Sequence, residues 1–261
     1  MSITIRTNIA SATAFANVAR AGRGLTSTFA RVSSGLRIAS ASDDDAGLAI
    51  ADKLDAQARS GRQVLRNIND GISALQVADG AVSEIVQIAT RLRELAVQAA
   101  NGIIDTELDA LSLEFQRIVN NTSFNGIDLL NTNDDLTVQV GTRSGGTNQI
   151  SLTRVDLFDD APNLEMDSAA NALTAITDLD EYMTVLGTIR ANYGAGLNRL
   201  ESALRNMENY TLNTTAAESR IRDADMAFET AQMTKFRVMQ EAGIASLAQA
   251  NISPTSLLFL L

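Results

Sequence analysis

Residues 15–36 read FANVARAGRGLTSTFARVSSGL, and the spacing of their apolar members decides the fold. Phe15, Val18, Leu25, Phe29, Val32 and Leu36, with Gly22 filling one step, fall at intervals of three and four. That alternation is a heptad seam along one helix face. The opposite face carries Asn17, Arg20, Arg23, Thr28 and Arg31, so the helix wants a partner on one side only. Helices of this length are marginal in water by themselves.

Further along, the same alternation is sustained far longer. From Leu54 it passes through Ile68, Leu75, Asp79, Val82, Ala89 and Arg93 to Ala96. At about 1.5 Å per residue this is a rod of about 65 Å, well beyond an ordinary globular helix. Asn101-Gly102 is suited to ending it. A matching seam runs from Ala172 through Leu179, Leu186, Arg190, Tyr193 and Leu200 to Thr211. Between the two lie a shorter helix (Leu108, Leu111, Phe115, Ile118) and a turn at Asn125-Gly126. Two alternating strands follow, Leu136–Val140 and Gln149–Thr153, joined by the glycine-rich loop Gly141–Asn148. Asp156–Asp167 is an acidic linker. The last seam, Ile221, Ala224, Phe228, Ala231, Lys235, Val238, Ala242 and Ala245, is poor in bulk and interrupted by Lys235. The order is a mirror: seam, break, rod, hairpin, rod, break, seam. The fold class expected is mainly α, with long antiparallel helical rods in a coiled-coil-like bundle and a small β-hairpin region at about 136–154. Pairing the inner rods brings the two outer segments together, so the opening helix finds its partner around Ile221–Ala245.

Composition narrows the function. The net charge of -10, from 31 acidic against 21 basic residues, argues against nucleic acid or an anionic membrane as partner. There is no Cys, His or Trp. No disulfide, Cys/His metal site or catalytic imidazole is therefore available. Lys53 and Lys235 are the only lysines, and neither sits in a Ser-x-x-Lys motif. No P-loop, G-x-G-x-x-G or H-E-x-x-H pattern occurs, so neither an enzyme nor a cofactor is expected. Asp43-Asp44-Asp45 lacks the spacing of an EF-hand loop and is expected to supply negative charge to a helix N-terminus. Met1–Ala10 has no charged region followed by an apolar core, so a Sec-type signal peptide is not expected. The closing Leu257-Leu258-Phe259-Leu260-Leu261 is too short to span a membrane.

Several motifs, taken together, resemble one family. Arg31–Ile38 with Ser42–Ala51 resembles the N-terminal signature of bacterial flagellins. Arg93–Asn101 and Phe124-Asn125-Gly126 are similar to that family's next landmarks. Ser219–Met226, Ala248–Asn251 and the Leu-rich end are similar to its C-terminal signature. The resemblance implies a structural subunit of the flagellar filament, extracellular, exported through the flagellum and polymerised into a helical tube for motility. It implies a minimal form with two inner layers, the acidic linker standing where longer relatives insert outer domains. Residues 1–42 and 213–261 would form the inner tube, and 43–212 the rod domain around it. Inner-tube assembly would then fall to Phe15, Val18, Leu25, Phe29, Val32, Leu36, Ile221, Phe228, Val238, Leu257 and Leu258. Val64, Val77, Ile85, Ile88, Leu92 and Leu95, off the main seam of the first rod, are expected to face neighbouring subunits or the short helix.

The implied partners are copies of the same chain, the flagellar export apparatus, an export chaperone and the filament cap. The positions matching a host Toll-like receptor contact are Arg91, Leu95 and Glu114. Two other readings stay open: a hook–filament junction protein, and a secreted coiled-coil adhesin or binding module. The weak C-terminal seam further predicts that both chain ends are disordered in the monomer and fold when neighbours bury them.

Overall fold

The structure, a computed structural model, describes residues 7–101, 107–158 and 168–258, with Ala169 and residues 253–258 in backbone alone. Gly102, the linker residues 159–167 and the side chains of Leu257 and Leu258 therefore lie outside the described residues. The chain divides into two compact units, Gln57–Leu212 and the paired ends Met1–Ala56 with Asn213–Leu261.

The helices are α1 (Ile9–Ser34), α2 (Asp45–Ala100), α3 (Glu107–Asn121), α4 (Ala169–Arg222) and α5 (Met226–Leu258). Strands β1 (Ser123–Phe124) and β2 (Ile127–Asp128) form one small antiparallel pair, and β3 (Leu136–Gln139) and β4 (Gln149–Leu152) another. Asn125 (φ 52°) and Gly126 (φ 76°) make the two-residue turn between β1 and β2, where both central positions need positive φ. Register in the second pair sets Leu136 opposite Leu152 and Val138 opposite Ile150. Val138, Ile150 and Leu152 are buried on the core side.

Within Gln57–Leu212, α2 and α4 run antiparallel. Ion pairs Arg93–Asp180 (2.7 Å) and Arg190–Asp79 (3.0 Å) pin the register, and Gly196 lets Leu75 come close. A Cβ on Gly71 would stand 2.9 Å from a Val138 methyl, which is how the hairpin seats against α2. Phe115 of α3 meets Tyr182 and Phe158 edge-on, with ring centroids 6.0 and 6.4 Å apart.

The buried stripe is displaced from the seam read in the sequence. On α2 the buried row is Ile68, Gly71, Leu75, Ala78, Val82, Ile85, Ala89 and Leu92. On α4 it is Ala172, Ala175, Leu179, Tyr182, Leu186, Ile189 and Tyr193. Every seventh residue is shared with the expected seam, and each alternate member sits one position earlier. Asp79, Arg93 and Arg190, expected on the seam, instead flank it as the cross-helix ion pairs. The off-seam residues fall mostly to the second expected alternative, the short helix, rather than to neighbouring subunits. Val64, Ile85, Ile88 and Leu92 belong to the same buried cluster as Phe115 and Val119 of α3, and Leu95 is also buried. Only Val77 of that set is exposed, because α3 and the strands occupy that side of α2.

Candidate functional site

The candidate site is the α1–α5 pair in the unit formed by the two chain ends. Asn8 starts α1: its Oδ1 accepts the Ser11 amide (3.0 Å) while its Nδ2 donates to the Ala250 carbonyl (2.8 Å). Gly35, at φ 71°, ends the helix by returning its N–H to the Arg31 carbonyl. The segments following α1 and α4 are then laced together. Arg37 N donates to Arg222 O (2.7 Å), Ala224 N donates to Gly35 O (2.9 Å), and Leu36 bridges Asp223. Asp225 caps α5 by accepting from Ala227 N and Phe228 N. The Asp triplet is divided in its work. Asp43 accepts from Ala39 N and Ser40 N, whereas Asp44 accepts from Gly47 N at the head of α2. The backbone amides of Ser40 and Ala39, then the Ser40 hydroxyl, hold the Asp43 carboxyl below the usual carboxylate range, and Arg31 adds to this.

The helices meet antiparallel along small residues. Gly243 receives Val18, Gly24 lies under the Phe236 ring, and Gln240 reaches Gly22. The least exposed row of α1 is Ala14, Val18, Ala21, Leu25, Thr28 and Val32. Opposite it runs Glu229, Met233, Phe236, Gln240, Gly243 and Leu247. Both rows keep the heptad rhythm, with spacings of three and four. Glu229 is buried and pairs with Arg31 at 3.5 Å, and Arg31 also lies 3.6 Å from Asp43.

Placed on this geometry, the expected assembly residues separate into two sets. Val18, Leu25 and Val32 lie on the intramolecular row; Leu36 is half-buried in the laced segment after α1, and Ile221, expected to open the last seam, is instead half-buried in the final turn of α4. Phe15 and Phe29 do not face α5; they are 66% and 62% exposed. Phe228 and Val238 are exposed as well, and Lys235 stands outside the seam it was expected to interrupt. Ala21 and Thr28 fill the positions expected for Gly22 and Phe29, although Thr28 reads as part of the polar face. A side chain at Gly24 would strike the Phe236 ring and one at Gly243 would strike Val18, so these glycines make room for larger partners inside the seam while Phe15 and Phe29 stand on its flank.

The three positions matched to a receptor contact are not equivalent. Arg91 is held by Glu94 (2.8 Å) and Glu107 (2.7 Å), and these hydrogen bonds raise its pKa while lowering that of Glu107. Glu114 accepts from Arg117 (2.7 Å), which lowers its pKa. Leu95 is 3% exposed, so its side chain is covered. Among the described residues no group of three or more His, Cys, Asp and Glu is placed to hold a metal ion.

An antiparallel helix pair that leaves Phe15, Phe29, Phe228 and Val238 exposed beside its seam, joined to a second unit of long antiparallel helices, defines the class: a long-helix structural protein. The chain belongs to the bacterial flagellin family: its N-terminal helical region matches residues 5–135 and its C-terminal helical region matches 176–261. A flagellin of Halalkalibacterium halodurans is 42% identical over 243 residues, covering 88% of this chain and 89% of that one. The flagellar filament 31.3 kDa core protein of Treponema maltophilum is 34% identical, covering 88% and 90%. A crystal structure of Bacillus cereus flagellin aligns with TM-score 0.46 at 31% identity, over 54% of this chain and 88% of that one.

Proposed function

We infer that the chain is a structural subunit of the bacterial flagellar filament, an extracellular component that works by associating with copies of itself. One observation carries the mechanism: α5 has apolar residues on every side. The row toward α1 holds Met233, Phe236 and Leu247, while Met226, Phe228, Val238, Met239, Ile244 and Ile252 are exposed around the remaining circumference. A helix apolar all round is a buried helix, and α1 covers only one of its sides. An open helical polymer supplies the missing cover through heterologous contacts.

In this reading Phe15, Phe29, Phe228 and Val238 contact neighbouring subunits, whereas Val18, Leu25 and Val32 hold α1 to α5. Residues 1–42 and 213–261 serve the inner tube and 43–212 the layer around it. Passage through the export apparatus, handling by a chaperone and addition beneath a cap belong to the same proposal, as does the absence of catalysis. Recognition by a host receptor is proposed in reduced form, through Arg91 and Glu114, since Leu95 is covered.

The test is seeded elongation. Purified subunit added to filament fragments is expected to lengthen them under the electron microscope. The Phe29→Asp/Phe228→Asp variant is expected not to elongate while the Gln57–Leu212 unit keeps its melting transition. Elongation by that variant at the parent rate, or a parent that stays monomeric in every salt condition, contradicts the reading.

A further inference from the structure

The chain contains 7 methionines and no cysteine, so thioethers are its only sulfur. They are not placed alike. Met207 is buried, and Met183 and Met233 are half-buried. Met226 and Met239, both on α5, are each 45% exposed. Met226 opens the helix directly after its Asp225 cap. Met239 lies about three turns beyond Phe228, on the same side of α5, because eleven residues close on three turns. Both sulfurs therefore sit where the association reading puts a neighbouring subunit, beside the α1 contact rather than in it.

Chemistry at these positions has a direct effect on association. A thioether attacks one oxygen of a peroxide; the S–O bond forms as the O–O bond breaks, and the departing oxygen takes a proton and leaves as water. Sulfur loses two electrons and the peroxide gains them. The sulfoxide is a strong dipole and hydrogen-bond acceptor, costly to bury against an apolar neighbour.

We propose that Met226 and Met239 are modification sites for peroxide-class oxidants, that their sulfoxides block addition of the free subunit, and that association shields both sulfurs. The proposal rests on the self-association reading above.

Free subunit and finished filaments are treated with hydrogen peroxide, and each methionine is followed by peptide mass mapping. In the free subunit Met226 and Met239 are expected to oxidise about tenfold faster than Met207, and in filaments to slow by a similar factor. Oxidised subunit is expected to elongate seeds at least about fivefold more slowly. Methionine sulfoxide reductases of both stereospecificities are expected to restore the rate, two thiols returning each sulfoxide to thioether with a disulfide and water as products. The Met226→Leu/Met239→Leu variant, which keeps apolar volume, is expected to elongate equally with and without peroxide. Each single variant provides the same comparison should the double variant fold poorly. Unchanged elongation by parent subunit shown to carry both sulfoxides overturns the proposal. So does equally fast oxidation in free subunit and filament, or an equal peroxide effect on the leucine variants. Untreated parent that never elongates would instead remove the self-association reading.

Discussion

At the scale of single residues, Tyr193 is the buried group most exposed to a change of pH. Its hydroxyl is buried without a hydrogen-bond partner, and its neighbours include Leu75, Leu129, Leu136 and Leu152. Burial first, then the nearby Asp79 charge, push the phenol up to about 12, with Arg154 pulling the other way. The folded state thus holds this proton more tightly than the unfolded state, whose phenol titrates near 10. Its contribution is complete below pH 10 and is lost as pH rises toward 12, about 2–3 kcal/mol across that window. Urea unfolding of the protein at pH 7, 10, 11 and 12 should show this loss, and Tyr193→Phe should lessen it. At pH 7 the variant should lie within about 1 kcal/mol of the parent, because the deleted hydroxyl makes no hydrogen bond to surrender. Identical alkaline slopes for the two proteins would refute the assignment.

Among elements, the α2–α4 pair is held in register by charges that sequence periodicity placed in the wrong row. Arg93–Asp180 and Asp79–Arg190 cross between antiparallel helices at the edge of the apolar stripe. Solvent screens both pairs, so their role is more to select the register than to stabilise the bundle. Arg93→Asp sets two carboxylates against each other and should lower the melting temperature of this unit by a few degrees. Adding Asp180→Arg should recover most of that loss, whereas Asp180→Arg alone should resemble Arg93→Asp. A double variant no better than the worse single one, by circular dichroism melting, would rule out the pairing. The helices, their antiparallel order and the Asn125-Gly126 turn were legible in the sequence, because heptads and an Asn-Gly pair are strong local signals. The phase was not. Two alternations share every seventh residue, and the one containing Phe15 and Phe29 has more bulk than the one containing Ala21 and Thr28. Bulk is a sound guide where a helix has one apolar neighbour. It misleads where Gly24 and Gly243 make room for Phe236 and Val18 in the seam and Phe15 and Phe29 stand on its flank. For α2 the reason differs: α3 and the strands widen the buried stripe until Ile85 and Leu92 belong to it.

Over the whole molecule, apolar burial is distributed unevenly between the two units. Gln57–Leu212 encloses Ile68, Val82, Ile85, Leu179, Leu186 and Leu200 almost completely. In the unit of the chain ends the buried positions of α1 are Ala21 and Thr28, and α5 contributes the charged Glu229. Ordering backbone costs about 1–2 kcal/mol per residue, and small side chains at a seam recover little of it. Phe15, Phe29, Phe228 and Val238 could each return about 1.5–3 kcal/mol, but only once something covers them. The expected consequence is that folding of the ends is coupled to association, with the same exposed residues weakening the isolated pair and driving it into the polymer. Amide hydrogen exchange on free subunit and on filament separates this from a pair that is stable alone. Amides of α1 and α5 should exchange fast in the free subunit and slowly in filament, while those of α2 and α4 around Leu75 and Leu186 stay protected in both. Equal protection of α1 and α5 in the two states would mean that the pair folds without neighbours, and the coupling would fall with it.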